Sequence, residues 1–361
     1  SFVHLSTAFC HCDYEVLKEN TYPAPVDPED IMRCVQWMDE KTLNMLTPNY
    51  LRELQSICKF FSYIPEKLVT DQFPHLPIAI ARPSIVTPAW KEPLPGWVDS
   101  LNGPIGLLVG GGKGVIRSMH CKGEYHSEVI PVDFAINGLM QIAWKIGVCK
   151  DKLKEIPVYN MTASAVKRVP WQEILDKGRK IVYENPFEMT IWYPDGNIRS
   201  SRFMHNLCVI FLHWLPAYFI DLLLFIFRQK RFHLHGRIQR KIQDGLDILE
   251  YFTIREWHFD SEKFNTLRAE LPPIDQKVFT TDFTQWEDDE YLLNGILGAR
   301  QYCLKEPLSS IPRCRRNLKI LYVIDRLWSL MFYSFLVWMI VSYSRTLHAI
   351  ELFNGVMGTV F

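Results

Sequence analysis

The chain has 361 residues, with 40 Lys and Arg against 40 Asp and Glu. Zero net charge gives no field to attract nucleic acid or other polyanions, so no nucleic-acid partner is expected. Aromatic residues make up 13% and charged residues only 22%, a balance that suits membrane contact, and the length allows two domains or one large one.

Nine cysteines, at 10, 12, 34, 58, 121, 149, 208, 303 and 314, form no repeated framework, which favours reduced thiols in an intracellular compartment. Cys10-His11-Cys12 has no second Cys/His pair at zinc spacing, so no metal is expected. The chain opens on Ser1 and runs straight into an apolar stretch, which reads as a fragment or an internal start.

Residues 2–9, FVHLSTAF, are rich in β-formers and read as a strand whose end presents Ser6 and Thr7. Two hydroxyls there also serve to satisfy a strand end locally. Residues 12–30 are polar and proline-studded, hence a loop. Helical spacing follows over 28–41, with Asp27 as cap and Pro28 in the first turn, and again over 54–69, with Phe60, Phe61, Ile64 and Leu68 near one face. Residues 78–81, Ile-Ala-Ile-Ala, read as a strand buried on both faces that stops at Arg82, because Pro83 cannot donate to a ladder. Residues 82–97 hold Pro88, Pro93, Pro95 and Gly96 and leave as a constrained loop. In an open α/β sheet such a loop borders a ligand crevice; a plain surface loop is the alternative. Strand, helices, strand is the βαβ pattern of a parallel sheet.

The glycine-rich run 103–114 contains Gly110-Gly111-Gly112-Lys113-Gly114 but lacks the Walker spacing, and it reads as a tight turn. Asp133 is placed as the cap of an apolar helix over 134–146. Residues 157–163 are a further strand and 171–183 a further amphipathic helix. The block 207–227 is apolar for 21 residues but contains His213, Pro216 and Asp221, so it reads as a span, as a helix lying in the membrane interface or as a buried amphipathic hairpin. Residues 327–343 carry no charge over 17 residues and read as a membrane anchor, with a buried core helix as the alternative. Arg313, Arg315, Arg316, Lys319 and Arg326 before it place the soluble region 236–318, with its acidic cluster Asp288, Asp289 and Glu290, in the cytosol.

Several stretches carry a resemblance: HLSTAFCHCD at 4–13, LPIAIARPSIVTPAWKEPLPGWVDSLNGPIGLLVGGGKGVIRSM at 76–119, IPVDFAINGLMQIAW at 130–144, VYNMTAS at 158–164, DILEYFTIREWHFDSEKF at 247–264 and GARQYCLKE at 298–306. The sequence resembles insect and plant-type alcohol-forming fatty acyl-CoA reductases of the extended short-chain dehydrogenase superfamily. The resemblance implies an α/β fold, part of a Rossmann-like doubly wound parallel sheet followed by a mostly helical C-terminal domain with a hydrophobic tail. It divides the chain into reductase-domain residues 1–200, a membrane-associated segment 201–235, the family's C-terminal domain 236–318 and a membrane-anchoring tail 319–361. The implied activity is reduction of a long-chain acyl-CoA to a primary alcohol by NADPH at the membrane of the endoplasmic reticulum or peroxisome. The family's glycine-rich pyrophosphate turn would precede the first strand here and is not in this chain. Arg82, Pro83 and Ser84 are the implied cofactor-binding positions, and Thr7, with Ser6 beside it, the implied binder of the substrate carbonyl.

The family's chemistry uses Tyr-x-x-x-Lys, a phenol that gives a proton to the developing alkoxide and a lysine one turn away that lowers its pKa. Counted back without gaps from Arg82, these positions fall on Cys58 and Ser62, which supply no cation. Five residues downstream, Tyr63 and Lys67 restore the spacing, although a shift of five turns a helix by about 140°. A helix starting later, at Pro65, would accommodate that shift. Tyr63 and Lys67 are therefore the catalytic candidates, with chance spacing as the alternative. Two readings stay open, an active reductase and a catalytically degenerate member that binds lipid or partners at a membrane.

Overall fold

The computed structural model describes residues 1–24, 26–53, 57–73, 75–149, 153–226 and 234–357. Strand β1 (Phe2–Leu5) opens the chain, and a two-residue strand β2 (Val16–Leu17) follows within the expected loop. Helix α1 (Pro28–Trp37) starts as its sequence dictates, with Pro28 in the first turn and Asp27 accepting from the Glu29 amide at 2.9 Å. It ends earlier than expected, and a second helix, α2 (Glu40–Glu53), begins where Asp39 accepts from the amide and hydroxyl of Thr42. Helix α3 (Ile57–Asp71) leads to the central strand β3 (Ile78–Pro83).

Strand β3 does not stop at Arg82. It runs through Pro83, and after Ser84 the chain resumes as β4 (Ile85–Thr87). Proline is tolerated because the ladder there uses its carbonyl, which accepts from Ala8 N at 2.9 Å, while Ser84 N supplies the next bond to Met161 O at 3.0 Å. The glycine-rich run is likewise not a turn but helix α4 (Pro104–Gly112). Tertiary packing overrides the weak helix propensity of glycine: a Cβ on Gly110 would lie 2.6 Å from Ile116, and one on Gly112 2.6 Å from Phe187. Lys113 at its end donates to Glu188 O and Glu306.

Strands β5 (Ser118–His120) and β6 (Val129–Pro131) precede helix α5 (Val132–Val148), and β7 (Val158–Met161), α6 (Trp171–Glu184) and β8 (Asn197–Arg199) follow. The order β1-β3-β7 is parallel throughout, with β4 paired to β6 and β5 to β8, also parallel. Alternation along β3 gives the sheet two covered faces. Ile78 and Ile80 pack with Val158, Val69 and Phe73 on the α3 side, whereas Ala79 and Ala81 pack with Phe134, Ile142 and Ile146 of α5 on the other. Helices on both faces make this the doubly wound arrangement.

The remainder is mostly helical. Helix α7 (Arg202–Cys208) continues through a π-helical turn (Val209–Trp214) into α8 (Leu215–Ile226), and α9 (Leu234–Thr253) follows. Strand β9 (His258–Phe259) pairs with β2, and α10 (Glu262–Leu267), α11 (Pro273–Val278), α12 (Asp288–Gly298) and α13 (Ile311–Met357) complete the chain. The acidic cluster forms the first turn of α12, where carboxylates oppose the helix dipole favourably. Phe264, Leu267, Phe283, Trp286 and Tyr291 enter the same core as α5. Glu19 fastens the two parts, accepting from the amides of Asn160, Lys263 and Phe264.

Candidate functional site

The end of the sheet gathers a polar cluster whose geometry follows from strand alternation. Arg82 continues the Ile78–Ile80 face, so its guanidinium points towards α3 and meets Glu66, with Nε at 2.9 Å from Oε1 and Nη2 at 2.7 Å from Oε2. Ser6, on the matching side of β1, donates to Glu66 Oε1 at 2.5 Å. His11 Nε2 lies 3.2 Å from Oε2, and a carboxylate only accepts, so the imidazole donates there. Arg82 Nη1 donates to the Asn20 and Lys18 carbonyls at 3.1 and 3.4 Å, and the guanidinium lies over the Tyr22 ring. Burial alone would push the Glu66 carboxyl up, but bonds from Arg82, His11 and Ser6 and the charge of Arg82 outweigh it and hold the group well below the usual carboxylate range. Burial lowers His11, leaving it neutral near pH 7.

Cys10, His11 and Glu66 offer ligand atoms within 4.8 Å of one another. Arg82 already bonds both Glu66 oxygens, and burial holds the Cys10 thiol well above its ordinary pKa, so the group is a hydrogen-bonded knot whose positive charge is the guanidinium.

The candidates from the sequence separate at this site. Ser6 joins the cluster; Thr7 accepts from Phe9 N at 3.2 Å, and its own proton meets no acceptor among the described residues. Arg82 is fully buried and its donors are spent internally, whereas the buried Ser84 hydroxyl makes no hydrogen bond among the described residues. The side chain of Tyr63 lies outside the described residues, as do those of Cys58 and Ser62. Lys67 is one residue past Glu66, about 100° round the helix, and its ammonium pairs with Asp71 on a half-exposed surface. The group of α3 that meets Ser6 is therefore Glu66. Its signal was present in the sequence: Glu66 lies four and eight residues after Ser62 and Cys58, on their face, and a buried arginine next to a strand proline needs a carboxylate partner.

A second feature lies beside this edge. A cavity of about 220 Å³ is lined mostly by apolar side chains of α4, α6 and α12, among them Ile105, Leu108, Ile174 and Val182, and by Thr87 at the end of β4 and Pro88 after it. Residues 82–97 thus do border a cavity. Thr87 is three residues on from Ser84, at most about 10 Å of extended chain. Ser127 and Val129 also line it, and Glu128 between them turns inward, accepting from Thr162 Oγ1 at 2.7 Å. Glu128 Oε1 has no partner among the described residues, and burial pushes its carboxyl up to about 7. The proline-rich loop signalled a crevice at this edge, whereas no local pattern signalled Glu128.

Asp133 shapes the loop at the mouth. It lies inside the first turn of α5 rather than capping it, and its carboxylate accepts from the amides of Trp90, Lys91 and Glu92 at 3.0, 2.9 and 3.2 Å. The loop closes on α12 through Gly96, whose φ of +74° and contact with the Asn294 carbonyl admit no Cβ.

A parallel sheet covered by helices on both faces, with hydroxyls and a buried carboxylate at its end and an apolar cavity beside it, is a Rossmann-like α/β arrangement. Two family models, both described as male sterility protein, match residues 1–139 and 212–306. Fatty acyl-CoA reductase 1 of Xenopus laevis is 33% identical over 323 residues, and that of Homo sapiens 32% over 323 residues; each match covers 88% of this chain and 61% of the relative. The chain belongs to this male sterility protein family and spans about 61% of the length of these relatives. Among solved structures, an NAD complex of UDP-glucuronic acid 4-epimerase from Bacillus cereus aligns with TM-score 0.39 and 13% identity, covering 83% of this chain and 60% of that one.

Proposed function

We propose that the protein containing this chain reduces a long-chain fatty acyl-CoA to a primary alcohol with NADPH, at the membrane of the endoplasmic reticulum or peroxisome. The observation that carries this reading is the apolar cavity opening beside the sheet end. A long alkyl chain is the ligand such walls favour, at about 0.8 kcal/mol per methylene buried. The name borne by the curated relatives supports the same substrate class.

In this reading Thr7 is the better donor to the substrate carbonyl, because its proton meets no acceptor among the described residues, whereas Ser6 must first turn from Glu66. Glu66 and Arg82 are positioning residues that fix β1 against α3. The Ser84 hydroxyl, without a partner among the described residues, fits a polar group of a nicotinamide cofactor, which when bound would supply the hydride. Tyr63 is assigned the proton for the developing alkoxide, and Lys67 must exchange Asp71 for it to assist.

Membrane apposition rests on two exposed apolar blocks held by one residue. Among the described residues one helical stretch, Leu308–Tyr343, is long and apolar enough to cross a membrane, and Trp328, Met331, Phe335 and Trp338 in its second half are all exposed. Its polar half is docked: Asp325 accepts from Trp192 Nε1 at 2.5 Å and Arg117 Nη2 at 3.4 Å, and Arg326 pairs with Asp195. The Arg117 amide also donates to His213 Nε2 at 2.9 Å, just before α8, whose Leu215, Tyr218, Leu222 and Phe225 are exposed. Both blocks therefore leave the body at Arg117, and a bilayer accounts for both.

The competing reading, a non-catalytic lipid-binding member, is favoured by the Lys67–Asp71 pair. The natural protein is given stearoyl-CoA and NADPH, and both nucleotide oxidation and octadecanol are followed. Alcohol formation that is lost in Lys67→Met supports the reductase with its displaced motif. Alcohol formation untouched by that change removes Lys67 from the mechanism, and activity undiminished in Tyr63→Phe removes Tyr63. Acyl-CoA binding without NADPH oxidation would establish the non-catalytic reading.

A further inference from the structure

Gly178 sits in the middle of α6, a poor place for glycine, which is the weakest helix former after proline. Buried helical glycines usually persist because a neighbour occupies the space of a Cβ. That holds for Gly112 against Phe187 and for Gly138, where Phe264 would lie 2.8 Å away. Gly178 is buried too, yet a Cβ built on it meets no atom within 4 Å. Buried and open together leave one explanation, since Gly178 lines the cavity and the missing side chain is part of its volume. Gly111 on the neighbouring α4 also lines it and also has nothing within 4 Å. Gly147, equally free of neighbours, faces solvent and lies outside the cavity.

We propose that Gly178, with Gly111 on the helix beside it, sets the acyl chain length the protein accepts, because any side chain at either position would stand where terminal methylenes lie. The inference rests on the acyl-chain reading of the cavity and assigns specificity, not catalysis, to these positions.

The test uses the whole chain in phospholipid nanodiscs, with saturated acyl-CoAs of 12 to 18 carbons displacing cis-parinaric acid, so that no turnover is needed. Gly178→Leu should leave 12-carbon affinity within about twofold of wild type. It should weaken 18-carbon binding by about fourfold for each methylene excluded. Gly178→Ala serves as the folding control: with no neighbour to displace, its melting temperature should equal or exceed wild type, whereas Gly112→Ala should melt lower. An unchanged length profile in folded Gly178→Leu, or equal weakening at every length, overturns the inference. Wild-type protein that binds no acyl-CoA overturns the acyl reading itself, and the two failures are thereby told apart.

Discussion

The two ends of this site are built on opposite plans. At the sheet end, Glu66 collects Arg82, His11 and Ser6 on its two oxygens, and Arg82 spends its outer donors on backbone carbonyls. In the cavity, glycines leave space unfilled and the walls offer few polar atoms. Charge is costly to bury and must be answered atom by atom, so the polar end becomes a rigid strut. Apolar surface makes no such demand, so the cavity can stay open for a ligand whose shape, not polarity, it matches.

Because the strut is closed, removing its centre has the largest effect. Glu66→Ala would strand a fully buried guanidinium, and a loss of about 3–5 kcal/mol is expected in urea unfolding; a loss below about 1 kcal/mol would show that water or rearrangement answers Arg82. The sign with pH is also fixed. Glu66 is held low, so its contribution is full above the unfolded carboxyl range near 4.5 and fades as acid protonates it, a dependence that the Ala variant should lack.

Glu128, between the two regions, predicts the opposite slope. Its carboxyl is raised from 4.5 to about 7, so between those values the folded state binds more protons and stability falls as pH rises. Glu128→Gln should therefore melt higher than wild type at pH 8, by the equivalent of about 2–3 kcal/mol, and match it below pH 4.5. A melting curve that is lower for the variant at pH 8 would mean that a donor answers the ionised carboxylate. The smallest effect belongs to Lys67, whose pair with Asp71 is half exposed. Lys67→Met should change stability by less than about 0.5 kcal/mol, and a larger loss would show that it reaches into the strut.

The secondary structure was legible where a local pattern and its packing agree. Asp27-Pro28 opened α1, and the apolar alternation of Ile78 to Ala81 gave the buried strand, because caps and two-face burial act on neighbours in sequence. It was misread where packing overrules the local rule. Proline 83 stays in the strand because only its carbonyl is used, and the glycines of α4 are helical because Phe187 and Ile116 need their room. The site was half legible: Ser6 and Thr7 followed from a strand end, whereas the spacing of Tyr63 and Lys67 drew attention from Glu66, which the helix turns inward.

By itself the sequence determined the parallel α/β class, the family and the long apolar helical stretch that ends at Tyr343, since each is written in short-range periodicity or in a contiguous block. Only the tertiary structure decided which face of α3 meets the sheet, that Glu66 rather than Lys67 stands behind Ser6, and that α4, α6 and α12 leave a cavity between them. Those outcomes depend on groups far apart in the chain, whose mutual burial no local pattern encodes.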